Sequence, residues 1–195
     1  MALSQEMRDK LGKAKTTGGG NRYTDGKYLL EVEEMRLKEA GFKGTSVRTR
    51  FIVRESEPIL PDDFREDDGK VPLPPIKPGV SFDVVFNLTK NDMAYGNIKS
   101  EILALFGADE ATTSEEEYLT TFDRCVSAGQ PTRGMLIRME TFRRRIVNGD
   151  NRGKWYVGAN WATIPAAEGA PNEPAQVLTR RKASAAAPKP APATP

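Results

Sequence analysis

VSFDVVFNLTKNDMAYGNIKSEILALFG, spanning Val80–Gly107, carries two hydrophobic periods back to back. Val80, Phe82, Val84, Phe86 and Leu88 recur at every second residue, the spacing of a strand with one buried face. From Ala94 the period changes. Tyr95, Ile98, Ile102, Leu105 and Phe106 share one side of a helix running from about Ala94 to Phe106, and Gly107 stands where a helix closes on a left-handed residue. This change of period divides the chain into a strand-rich part before the helix and a second helix with further strands after it.

Upstream, Tyr28–Leu37 alternates: Tyr28, Leu30 and Val32 on one face, Leu29, Glu31 and Glu33 on the other. Gly41-Phe42-Lys43-Gly44 reads as a turn, and Val47–Arg54 as a second strand. Val47, Thr49, Phe51 and Val53 form its apolar face, and Arg48, Arg50, Ile52 and Arg54 its basic one. Residues 55–79 then hold six prolines and seven acidic residues, which predicts a long acidic, Pro-rich loop. Downstream, Ser114–Ala128 reads as a second helix. Ser114 and Glu117 are spaced as a capping box, and Tyr118, Phe122, Cys125 and Val126 form its buried stripe. Gly134–Val147 and Lys154–Ile164 make a last hairpin around Asn148–Gly153. Residues 1–25 read as a flexible N-terminal arm with room for a short helix around Leu3–Ala14, and 165–195 as a disordered Ala/Pro-rich tail.

The resulting order is three strands, two helices, two strands. The fold class is mainly β. Five antiparallel strands with a helix between the third and fourth is the arrangement of an OB-like barrel, here over 26–164. An open five-stranded sheet packed on two helices has the same element order and stays open as an alternative.

Composition bounds the function. The 195 residues suit one domain with tails, and 38% apolar with 29% charged residues allow a core of modest size. No run approaches the roughly 20 apolar residues of a membrane helix, and the N-terminus lacks the apolar core of a secretory signal. The chain has no histidine and a single cysteine, Cys125. Intrachain disulfides, most zinc sites and every histidine-base mechanism are therefore excluded. The expectation is a non-enzymatic cytoplasmic protein. Net charge is only +2, but the signs are segregated: acids at 55–68 and 109–123, bases at Arg48–Arg54, at 133–154 and near both ends.

Gly26-Lys27-Tyr28 opening one strand, Phe51-Ile52-Val53 in the next, the strand ending Asn87-Leu88 before a helix ending Leu105-Phe106-Gly107, and the Gly134–Trp161 hairpin together resemble bacteriophage-encoded OB-fold single-stranded DNA-binding proteins. The resemblance covers about 26–164. It implies single-strand binding in phage DNA replication or recombination, in the host cytoplasm. Many such proteins end in an acidic tip that recruits partners. This chain ends Ala/Pro-rich and slightly basic, which puts recruitment by such a tip in doubt.

The candidate binding residues follow from nucleic-acid chemistry. Arg48, Arg50 and Arg54 form a row that phosphates could meet; the plain alternative is a solvated face paired with Glu31 and Glu33 across the sheet. Arg138, Arg143, Arg144, Arg145, Arg152 and Lys154 concentrate charge on the last hairpin, beside Trp155, Tyr156 and Trp161. Single-strand binders combine a basic groove with aromatic platforms worth about 1–3 kcal/mol per base. Trp155 and Trp161 share a face by parity unless Gly158 starts a bulge, and at least one of them has a core role as its alternative. Phe42, with Lys43, is a turn-tip ring that could stack on a base or fold back on the barrel. Asp62-Asp63 and Asp67-Asp68 match no familiar metal-binding spacing, and no cofactor is expected. The acidic loop could cover the basic face or dock a partner, and the tails are a second docking point for phage or host replication proteins. Oligomeric state stays open. A reading from another class is a phage virion or assembly protein that uses the same barrel against protein partners.

Overall fold

The structure, a computed structural model, describes residues 3–15, 25–39, 44–59, 73–89, 92–145, 152–153 and 155–164, with backbone alone at 143–145 and 155–157. Five strands, β1 (Lys27–Glu39), β2 (Thr45–Glu57), β3 (Ser81–Asn87), β4 (Leu136–Arg145) and β5 (Trp155–Ala162), form one antiparallel sheet in the order β3-β2-β1-β4-β5. Three helices accompany it: α1 (Gln5–Lys13), α2 (Met93–Phe106) and α3 (Glu115–Cys125). Among the described residues β3 and β5 make no closing ladder, so the expected barrel is corrected to an open sheet.

The sheet is nevertheless strongly curled. Phe51 of β2 stacks on Trp161 of β5 with centroids 5.7 Å apart, although β1 and β4 lie between those strands in the ladder. Two bulges promote the bend, because an extra residue on one strand kinks it and raises its twist. In the β1–β2 register, Val32 faces Phe51 while Glu34 faces Arg50, so Glu33 is unpaired; Leu29 faces Glu55 while Leu30 faces Val53, so Arg54 is unpaired. The first bulge shifts the phase of β1: Tyr28, Leu30 and Val32 are buried, and then Met35. On β2 the expected face, Val47, Thr49, Phe51 and Val53, is the buried one. β2 runs on to Glu57, so the start of the expected acidic loop belongs to a strand; residues 60–72 lie outside the described residues.

α2 fills the curl and packs on β3, β4 and β5. It ends on Gly107 at φ +62°, whose N–H reaches the carbonyls of Leu103 and Ala104. The expected stripe is buried except for Phe106, which is partly buried, but so are Asn97, Lys99 and Glu101, because α1 and the sheet both cover this helix. α3 begins with the expected capping box, Ser114 and Glu117 each accepting from the other's backbone N–H.

Of the first 25 residues the structure describes 3–15 and Asp25, and the expected short helix is present there as α1. Within them α1 is docked: Leu3 and Leu11 are buried, and Arg8 Nη1 donates to both carboxylate oxygens of Asp123 at 2.8 and 2.7 Å. Lys99 Nζ donates to the last carbonyls of α1, at Ala14 (2.9 Å) and Gly12 (3.3 Å), and lies 5.5 Å above the Tyr118 ring. A cation at a helix C-terminus satisfies carbonyls that lack intrahelical partners and opposes the negative end of the dipole. No helix among the described residues is long and apolar enough to cross a membrane.

Glu101 is the sharpest electrostatic feature of this interior. Its Oε1 accepts from Thr49 Oγ1 at 2.7 Å, while its Oε2 and the Tyr118 hydroxyl have no hydrogen-bond partner among the described residues. Burial pushes its carboxyl up to about 8, against the opposing Thr49 bond, so the acid is largely neutral at pH 7. The folded state therefore keeps a proton that the unfolded chain releases from about 4.5 upward. Stability from this group is complete below that value and is lost as pH rises through about 8, on the order of a few kcal/mol. Thermal melts from pH 5 to 9 should show a falling midpoint for the native chain. Glu101→Gln keeps an oxygen for Thr49 and should flatten the fall; parallel curves for the two proteins would contradict the assignment.

Candidate nucleic-acid interface

Alternation on β2 sends Arg48, Arg50 and Arg54 to the outer side of the sheet, opposite its buried face. The structure brings them together and gives each a carboxylate. Asp83 of β3 faces Arg50 in the ladder and accepts from Arg50 Nε at 3.0 Å and from Arg48 Nη2. Arg54 Nε donates to Glu31 of β1 at 2.7 Å. Arg36 and Glu34 pair on the same strand. Hydrogen bonds first from Arg48 and then from Arg50 hold the Asp83 carboxyl below its ordinary range, with partial burial opposing them. The Asp83 bond in turn raises Arg50. The basic row is thus charge-compensated from both flanking strands. Of the two counter-charges expected from β1, Glu31 serves; Glu33 sits in the bulge, and Asp83 takes the remaining arginines. The signal for Asp83 was present, because the residues between Phe82, Val84 and Phe86 must face outward.

Arg138 is exposed on β4, between Leu29 of β1 and Ala162 of β5 in the ladder. It lines an open cleft of about 560 Å³ with Lys27, Leu29, Glu55, Glu57 and Glu140. Two cations against three carboxylates make this cleft a poor phosphate site. Arg138 is therefore separated from the β2 row in character as well as in place.

The β4–β5 ladder is continuous from Arg138↔Ala162 to Arg145↔Trp155, with no shift at Gly158. The parity argument for Trp155 and Trp161 accordingly stands at the backbone level. Arg143, Arg144 and Arg145 are opposite Val157, Tyr156 and Trp155. The side chains of Arg143–Arg145 and Trp155 lie outside the described residues, as do Phe42, Lys43 and Lys154 entirely. Arg152 is exposed in the turn beside Gly153, whose φ is +85°. Trp161 is half-buried, faces Met139 in the ladder and lays one ring face on Phe51, so the expected base platform is first a packing residue. Gly44, at φ +76°, directly precedes β2: a Cβ there would meet Thr89 Oγ1, which accepts from Thr45 N at 2.8 Å.

Among the described residues no group of three or more acids or cysteines is placed to hold a metal ion. Cys125 is buried, and burial pushes its thiol up to about 12, so its chemistry is that of a small core residue.

The packing role of Trp161 is open to a direct check. Trp161→Ala should cost about 2–4 kcal/mol in urea denaturation, as expected for removal of a large ring from a core. Trp161→Phe should recover most of that, and an effect of the Ala variant below about 0.5 kcal/mol would contradict it. No protein-family model, curated protein or solved structure matches the chain.

Proposed function

We propose that the chain binds single-stranded DNA, without catalysing a reaction and with little sequence preference, in phage DNA replication or recombination in the host cytoplasm. The strand would lie across the sheet formed by β2 and β3 and beneath the β4–β5 hairpin. Arg48, Arg50, Arg143, Arg144, Arg145 and Lys154 would meet phosphates, and Trp155 and Phe42 would stack bases. The observation that supports this reading most is the hairpin register, which sets three consecutive arginines across from Val157, Tyr156 and Trp155. The strand order adds weight: β3 and β5 are the two edges of a curled sheet, so a ladder between them would complete an OB-like barrel.

The second reading, a phage virion or assembly protein, draws on a different observation. Val80, just before edge strand β3, and Val85, on the outer face of that strand, are exposed, as are Leu73 and Met93. Apolar surface on an unpaired edge invites protein contacts.

Titration of tryptophan fluorescence separates the two. In a Trp161→Phe background, a mixed-sequence single strand should quench the signal of Trp155, and a duplex of equal length should not. Affinity should fall steeply with salt. Replacing Arg143, Arg144 and Arg145 together by alanine should lower the slope of log K against log salt by about 2, at roughly 0.7 per phosphate contact. No response to either nucleic acid at low salt would overturn the binding reading. Concentration-dependent self-association in that case would favour the assembly role.

A further inference from the structure

Arg48 and Arg50 stand two residues apart on β2, so both guanidiniums leave the sheet on the same side. Each gives one N–H to Asp83, at the position facing Arg50 across the ladder. A guanidinium carries five N–H donors in a plane, and among the described residues the other donors of both side chains have no partner. Their side chains are 28% and 43% exposed, so those donors are open to solvent. One carboxylate therefore sits between two partly used forks. Arg54, by contrast, has Glu31 to itself. A carboxylate and a phosphodiester share what a guanidinium recognises: a single negative charge spread over two equivalent acceptor oxygens.

We infer that Asp83 is an internal substitute for a backbone phosphate: it holds Arg48 and Arg50 ready on the outer face and competes with the phosphodiester of a single strand for them. Binding at this face is then an exchange of one anion for another, and the Asp83 charge sets the threshold affinity. This rests on the reading of the chain as a single-strand binder. The two-to-one stoichiometry leaves a net positive charge at the cluster, enough to draw a phosphate in, while the carboxylate weakens its hold. Removing the Asp83 charge without changing its shape should free both forks.

The test is fluorescence anisotropy of a labelled oligothymidylate with the full chain, over a series of salt concentrations. Asp83→Asn should bind about 5–10-fold tighter at low salt and steepen the salt slope by about 0.7, one phosphate. Glu140→Gln removes an equal charge from β4, where Glu140 lies 3.6 Å from Lys27, and should change affinity less than about twofold. Asp83→Ser, which repeats the residue type at Ser81 on the same face, serves as a second variant should the Asn protein fail to fold. Variants at position 83 that bind no tighter than the native chain, or a gain equal to that of Glu140→Gln, would overturn the inference while leaving single-strand binding standing. Absence of binding by the native chain and by every variant at low salt would overturn both.

Discussion

The stack of Trp161 on Phe51 is the contact on which the rest of the molecule depends. It joins the second and last strands across a sheet whose ladder keeps them two strands apart, and so it fixes how far the sheet must bend. The bend makes a trough, and α2 lies in the trough. A helix enclosed by the sheet and by α1 cannot keep a polar side in water. Lys99 and Glu101 are therefore buried and must be satisfied from within: Lys99 by the carbonyl end of α1, Glu101 by Thr49 and by staying protonated. The docked N-terminal helix, the neutral acid and the open seam between β3 and β5 are consequences of one curvature.

The outer side of the same sheet has the opposite character. Its arginines are numerous but already engaged. Exposed ion pairs of this kind contribute little to stability, because solvent screens them and ordering long side chains costs entropy. What they do is hold guanidiniums in fixed positions. A surface built this way carries only a modest net positive charge yet keeps preformed donors at contact distance. It would discriminate against weak or diffuse charge and respond to a flexible polyanion that can displace a carboxylate.

Much of this was legible in the residues. Period-two alternation identified the buried faces of β2 and β3, and the Ser114–Glu117 pair marked the start of α3. Gly107 marked the end of α2. These signals are local, and local chemistry sets them. The misses are all non-local. The bulge at Glu33 breaks the alternation of β1 without any glycine or proline to announce it. A short helix around Leu3–Ala14 was legible, but its docking was not, because the Lys99 and Asp123 that bind it lie 87 and 115 positions along the chain from their partners Gly12 and Arg8. Asp83 was outward by parity, but its selection of two arginines depends on the β2–β3 register. Closure of the barrel was expected from element order, and order alone does not say whether two edges meet.

The central claim is that a single strand lies across the sheet formed by β2 and β3 and beneath the β4–β5 hairpin. Backbone amide hydrogen exchange, followed by mass spectrometry with and without a saturating oligothymidylate, tests it most directly. The account predicts slowed exchange confined to peptides from β2, β3 and the β4–β5 hairpin, with α1 and α3 unchanged. Unaltered exchange throughout, or protection confined to the helices, would contradict it.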